Sequence, residues 1–262
     1  MGKIITFANQ KGGVGKTTSC INLSAYLAKA GYRVLILDMD PQGNASSGVG
    51  ANKNAGVPSV YSVLIGAAKM NDKDLIQETK VENLSVLPST INLVGAEVEL
   101  VAMGEGRERV LKAKLEEAKI AYDYMIIDCP PSLGLLTVNA LTASDGVIIP
   151  IQCEFFALEG LSQLMNTIRL IRKYLNPGLE IEGVLLTMFD GRARLSQMVA
   201  EDVAKFFSEK LFTVRIPRNI RLAEAPSYGL PILLYDRKSQ GAKAYEELCG
   251  EFIKREKEKS KG

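Results

Sequence analysis

The chain has 262 residues, 47% of them apolar, with 32 Lys or Arg against 30 Asp or Glu for a net charge of +2. That is enough apolar material for one sizeable core, and no global charge announces a nucleic-acid partner. There is no histidine, and Cys20, Cys129, Cys153 and Cys249 show no C-x-x-C spacing, which excludes His-based catalysis and His-ligated metal and points to reduced thiols in a cytoplasmic protein.

No stretch reaches the 18 or so apolar residues of a membrane span, and the start, MGKIITFANQ, lacks the pattern of an export signal. In chain order, KIITFAN reads as a buried strand and TTSCINLSAYLAKAG as a helix with apolar spacing of three and four, stopped by Gly31. RVLILD is a second strand. Residues 50–71, punctuated by glycine, asparagine and lysine, read as a mobile excursion. LSVLP, YMIID, GVIIPI and IEGVLLTMF are further strands, and LEGLSQLMNTIRLIRKYL is a helix before the last of them. Short β-branched runs without polar alternation, separated by helices, indicate an α/β fold: a mostly parallel twisted sheet with helices on both faces. One domain over residues 1–255 is expected. The end, KREKEKSKG, is too polar to pack and reads as a frayed helix end or tail at 256–262.

Between the first strand and the first helix lies QKGGVGKTT, residues 10–18. The spacing is close to G-x-x-x-x-G-K-[ST], a glycine-rich turn whose backbone N–H groups surround phosphates. Gln10 replaces the first glycine, however, and a second lysine, Lys11, follows it. Gly12, Gly13 and Gly15, with Val14 among them, can take positive φ and bring backbone close to an anion. The helix N-terminus adds its dipole and free N–H groups. Lys16 is then expected on the β- and γ-phosphates, the Thr17 hydroxyl on Mg²⁺ and Thr18 on the α-phosphate.

Such a site also needs an acid at another strand end to hold the ion through water. Asp128 closes YMIID just before Pro130 and Pro131. In VLILDMDPQGN, Asp38 reads as a strand-end residue facing the loop, and Asp40 as a carboxylate able to polarise a water toward the γ-phosphate.

Together KGGVGKTT, LDMDPQGN and IIDCPPSLG resemble the ParA/MinD family of deviant-Walker P-loop ATPases along nearly the whole chain. IPRNIRLAEAPSYGLPI, residues 216–232, narrows the resemblance to ParA-type chromosome-partitioning ATPases of the short Soj-like form. The resemblance implies ATP and Mg²⁺ as ligands, and it implies that Lys11 reaches across an ATP-bound homodimer to the partner's phosphates. Each such charge-assisted contact contributes about 1.5–3 kcal/mol, and two-fold symmetry repeats it. Gly12 is then expected where the facing loops approach. The resemblance further implies Asp40 as the water-activating carboxylate beside the catalytic cations Lys11 and Lys16. It makes Thr17 the direct metal ligand, with Asp40 and Asp128 acting through water. Pro217 and Asn219 would border the adenine, with Thr187 and Met188 nearby.

The family uses its dimers in two ways, to hold non-specific DNA or to pair C-terminal membrane helices. No apolar residue follows Ile253, so a lipid-inserting face is not expected. Residues 190–243 hold ten Lys or Arg against six Asp or Glu. The resemblance puts Arg192 and Arg221 at DNA-backbone positions, with Arg194 and Arg218 as further candidates, Arg218 being equally able to face the nucleotide. Guanidinium forks suit phosphate, and a dimer doubles the phosphates neutralised. The expectation is an ATP-dependent, DNA-bound, nucleoid-associated dimer whose slow hydrolysis is stimulated by a ParB/Spo0J-like centromere-binding protein, driving chromosome or plasmid segregation. A positioning ATPase for a protein cargo would share this chemistry. An iron-protein-like reductase would need a partner for Cys129 in a matching glycine-rich loop.

Overall fold

Successive residues of a strand point to opposite faces of its sheet, and here the sequence makes both faces apolar. The computed structural model describes residues 2–54, 56–154 and 157–259. Its first half runs β1 (Lys3–Phe7), α1 (Lys16–Lys29), β2 (Val34–Asp38), α2 (Asn44–Gly48), α3 (Val60–Leu64), β3 (Gln77–Glu78), β4 (Leu84–Leu87), α4 (Leu93–Ala102) and α5 (Val110–Leu115). Then follow β5 (Tyr124–Asp128), α6 (Leu135–Ala143), β6 (Gly146–Gln152), α7 (Ala157–Tyr174), β7 (Glu180–Thr187) and α8 (Arg194–Phe207). Two short helices, α9 (Ile220–Glu224) and α10 (Ile232–Tyr235), precede the long α11 (Gln240–Lys259).

The strands form one sheet in the order β3-β4-β2-β5-β1-β6-β7, parallel except for β3 against β4. This is the expected parallel sheet plus one element the sequence did not suggest, since the two-residue β3 offers no apolar run. Ile5, Phe7, Val34, Ile36, Tyr124 and Ile126 face α1 and α11. Ile4, Leu35, Leu37, Met125 and Ile127 face the α3–α6 side. A third cluster joins β6 and β7 to α7 and α8. Gly31, at φ 94°, ends α1 in the left-handed region as a helix stop.

Two segments differ from the sequence reading. Residues 50–71 are not simply an excursion: Ser59 caps α3 in a capping box with Ser62, and Val60, Val63 and Leu64 are buried. Their spacing supplies the packed stripe that the surrounding glycines and asparagines obscured; Ala55 lies outside the described residues. Of the polar C-terminal stretch, residues up to Lys259 continue α11 and are anchored by charge rather than by apolar packing, and residues 260–262 lie outside the described residues. Lys3 pairs with Glu256 at 2.6 Å and Glu182 at 2.8 Å, and Lys259 with Glu182 at 2.7 Å. The apolar side chains of α11 go into the core, Tyr245, Leu248 and Phe252 among them.

Candidate functional site

Ligands of open parallel sheets bind beyond the carboxyl ends of the strands, where the strand order reverses. Here β1, β5 and β2 deliver the phosphate loop, Asp128 and Asp38 to one such edge. The loop is braced at both ends. Asn9 donates to the Pro150 carbonyl at 2.7 Å and accepts from the Lys11 N–H at 3.0 Å, and Thr187 at the end of β7 donates to the Val14 carbonyl at 2.8 Å. Gly13 and Gly15 take positive φ, 73° and 84°, as expected. Gly12 does not, so its lack of a side chain serves space rather than backbone: a Cβ there would meet nothing nearer than Pro131 at 3.8 Å.

The two lysines diverge. Lys16, buried, turns into the loop and donates to the Lys11 carbonyl at 3.0 Å. Burial lowers its ammonium below the usual lysine range, opposed by Asp128 and Asp40. Lys11 turns away and pairs with Glu154 just after β6. Sequence reasoning missed Glu154, because nothing local marks an acid whose partner is far away in the chain.

The three acids also separate. Asp38 and Asp128 are paired in register on β2 and β5, both fully buried. Asp38 commits its carboxylate to the following turn: Oδ2 accepts from Ser46 N–H at 2.7 Å and Ser46 Oγ–H at 2.6 Å, and Oδ1 from Asp40 N–H at 3.2 Å. Burial pushes it up to about 6 despite those bonds. Its expected orientation toward the phosphate loop is thus replaced by a structural role. Asp128 has no hydrogen-bond partner on either oxygen. Burial, then the Asp38 carboxyl, holds it well above the usual range, while the neighbouring Thr17 hydroxyl and Lys16 oppose. Asp40 accepts the Gln42 N–H at 2.9 Å on one oxygen.

A buried carboxylate without partners, beside a threonine hydroxyl and a lysine, fits a hydrated Mg²⁺, which keeps several waters and takes one or two carboxylates plus phosphate oxygens. No group of three or more His, Cys, Asp or Glu among the described residues could cage an ion alone. The donor set therefore suits an ion that arrives with a nucleotide.

Next to the loop opens a cleft of about 430 Å³ lined by Gly15, Thr18, Thr187, Met188, Pro217, Arg218, Asn219 and Tyr245, among others. Its walls are largely apolar, as a nucleobase requires. Met188 sits at φ 49°, an uncommon conformation outside glycine. Asn219 Oδ1 accepts from the Arg221 N–H at 3.0 Å and caps α9, so one of the oxygen's two acceptor positions is taken. Tyr245, unanticipated, lies 3.0 Å from Ser19 Oγ and ties α11 to α1 behind the cleft.

Of the four arginines, Arg218 lines this cleft. Arg192, in the loop before α8, is 94% exposed and near Asp190 at 3.3 Å. Arg221 pairs with Glu224 at 2.9 Å and Asp236 at 3.5 Å. Arg194 opens α8 and is exposed.

Residues 2–181 match the AAA domain family. The chain is 59% identical over 251 residues to the sporulation initiation inhibitor protein Soj of Bacillus subtilis, covering 96% of this chain and 98% of that one. It is 52% identical over 260 residues to the chromosome partitioning protein ParA of Myxococcus xanthus, covering 99% and 91%. A solved Mycobacterium smegmatis structure described as cobyrinic acid a,c-diamide synthase with bound ADP and magnesium matches with a TM-score of 0.85 at 37% identity, over 98% of this chain and 96% of that one. With its paired lysines, its two unlike buried acids and full-length identity of this order, the chain belongs to the ParA/Soj family of chromosome-partitioning ATPases.

Proposed function

We propose that the chain hydrolyses ATP with Mg²⁺, that two ATP-bound copies close face to face and hold DNA without sequence preference, and that hydrolysis stimulated by a ParB/Spo0J-like partner releases them in chromosome or plasmid segregation. The observation that carries this reading is the divergence of the two loop lysines. Lys16 is turned into its own phosphate site, while Lys11 is turned out to Glu154, where release would free it to reach a second nucleotide.

In the reaction, Lys16 and the N-terminus of α1 hold the phosphates, and the Pro217–Asn219 side of the cleft receives the adenine. Bound Mg²⁺ would neutralise charge on the phosphate oxygens, with Thr17 and Asp128 holding it. The Asp40 oxygen not taken by Gln42 is left to orient a water for attack. Arg192, Arg194, Arg218 and Arg221 are the candidate DNA contacts. The neighbouring ion pairs of Arg192 and Arg221 exchange for phosphate, because exposed pairs contribute only about 0–1 kcal/mol.

The relatives at 59% and 52% identity are nearer in sequence than the M. smegmatis protein at 37%, so the activity in that protein's name is not carried over. No helix among the described residues is long and apolar enough to cross a membrane. The test is ATP turnover alone, with duplex DNA, and with DNA plus the basic N-terminal peptide of the ParB-like partner. Slow turnover that rises with both additions is expected; turnover indifferent to the peptide contradicts the partner's role.

A further inference from the structure

We infer that Lys53 is a positioning residue for hydrolysis: its ammonium holds the turn that carries Asp40, and Gln77 on the edge strand β3 holds Lys53 within reach of that turn. The inference rests on the reading of Asp40 as the residue that orients the attacking water. It accounts for two parts of the fold that the phosphate site leaves unused, the segment after α2 and the two-residue strand β3.

The turn is short. Pro41 fixes φ at its first corner, and the Gly43 N–H closes it on the Asp40 carbonyl at 2.9 Å. Gln42, at the second corner, is exposed. The Asp40 carboxylate accepts the Gln42 N–H at 2.9 Å, and the Gln42 carbonyl accepts from the Lys53 ammonium at 3.1 Å. Gln42 is therefore gripped from both sides, by the carboxylate and by the lysine. The same ammonium donates to the Gly43 carbonyl at 3.4 Å. Turning Gln42 out of this setting takes its N–H away from Asp40 and frees the carboxylate to rotate. On the inner side the turn is held by Asp38, which accepts from the Asp40 N–H and from Ser46. Lys53 is the matching restraint on the outer side. Hydrogen bonds with one charged partner are roughly twice as strong as neutral ones, and among the described residues no acid pairs with Lys53 to divert it.

The chain around Lys53 is built to deliver it. The lysine stem crosses Gly43, where a Cβ would come within 3.1 Å of the lysine Cδ and 3.3 Å of the Ser89 carbonyl oxygen. As α2 ends, the Ala51 N–H bonds back to the Ser46 carbonyl at 2.9 Å. Gln77 then acts as a neighbouring strand would: its Oε1 accepts from the Asn52 N–H at 2.8 Å, and its Nε2 donates to the Asn52 carbonyl at 2.9 Å. This double contact fixes the backbone one residue before Lys53. One residue after it, the Asn54 N–H donates to Asn52 Oδ1 at 3.1 Å. Gln77 is itself placed by the pairing of β3 with β4, opposite Val86. A lysine on a free loop would lose much side-chain and backbone freedom in reaching two carbonyls; the Gln77 clamp lowers that cost in advance. A relay of amide, main chain and ammonium thus runs from the edge of the sheet to Asp40.

The test is steady-state ATP turnover by the full chain with Mg²⁺, at protein concentrations where the rate per chain no longer rises. The variants are Lys53→Met, Lys53→Arg, Gln77→Ala and the double variant Lys53→Met with Gln77→Ala. Lys53→Met and Gln77→Ala are each expected to lower kcat roughly tenfold with KM unchanged, because the phosphate loop is intact while the water-orienting carboxylate is loosened. Lys53→Arg, which keeps charged donors on a long stem, retains most of the parent rate. The double variant is no slower than Lys53→Met alone, since both changes break one relay. Parent rates in Lys53→Met and Gln77→Ala overturn the tether. A raised KM with kcat kept, a Lys53→Arg as slow as Lys53→Met, or losses that multiply in the double variant overturn it equally. Asp40→Ala keeps the two readings apart. If Asp40→Ala turns over at the parent rate, the role of Asp40 falls and the tether with it. If Asp40→Ala is inactive while Lys53→Met is not slowed, the tether alone falls.

Discussion

Asp38 and Asp128 stand opposite one another at the ends of neighbouring parallel strands, yet only Asp38 has partners. Ser46 gives Asp38 two hydrogen bonds, at 2.7 and 2.6 Å, while both oxygens of Asp128 accept none. One carboxyl holds the DMDPQGN turn in place; the other is left for a ligand. Two carboxyls this deeply buried disfavour a second charge in the nucleotide-free chain, and an incoming cation favours it.

Replacing Asp128 by Asn therefore raises the stability of the nucleotide-free protein at neutral pH, because it removes the cost of burying a second ionisable carboxyl beside Asp38. The same change shrinks the thermal shift produced by Mg²⁺-ADP and abolishes turnover. Melting with and without Mg²⁺-ADP checks both halves. A nucleotide-free variant that melts lower than the parent contradicts the assignment.

Asp38 predicts a pH effect of definite sign. Its folded value is raised from 3.8 to about 6. An acid raised on folding favours the folded state fully below its unfolded value and loses that contribution as pH climbs through the folded one. Between about pH 4 and pH 6 the Asp38 contribution to stability declines, and Asp38→Asn flattens that stretch relative to the parent. Urea midpoints across this window measure the difference. A parent-minus-variant difference that does not change with pH would falsify the raised value.

Gly12 and Gly15 separate two kinds of glycine. Gly15, at φ 84° and with Thr187 at 3.5 Å from where its Cβ would stand, tolerates no side chain without strain. Gly12 has open space in the single chain. Gly15→Val is expected to weaken nucleotide binding by the monomer. Gly12→Val leaves folding and monomer binding intact and blocks dimerisation. Fluorescent-nucleotide titration and sedimentation, run on both variants, distinguish the outcomes.

Arg192 and Arg221 make a quantitative prediction about salt. If each neutralises one phosphate, removing it lowers the slope of log affinity against log salt by about 0.9 per copy. Arg221→Ala also frees Glu224 and Asp236, so its loss of affinity at low salt exceeds that of Arg192→Ala. An unchanged slope removes the residue from the DNA surface.

Much of this was legible in the sequence because the signals are local. Unbroken apolar runs marked six strands, and the order strand, glycine loop, helix marked the phosphate site. What stayed hidden depends on contacts between distant residues. Asp38 and Asp128 look alike as strand-end acids, and only the position of Ser46 tells them apart. Glu154 gains meaning only from Lys11 folding onto it, and Tyr245 only from α11 packing across α1. That Asn219 caps α9 through its side-chain oxygen depends on where the helix starts. The polar end of α11 offers no apolar residue to pack, whereas Lys3, Glu182, Glu256 and Lys259 hold it by charge.

The most direct test of the account is binding to random-sequence duplex DNA over a range of salt with ATP, with ADP, and with ATP in the Asp40→Ala variant. Tight, salt-sensitive, sequence-independent binding is expected with ATP, absent with ADP and retained in Asp40→Ala, which keeps its nucleotide. DNA binding that is equal with ATP and ADP, or absent while ATP still dimerises the chain, contradicts it.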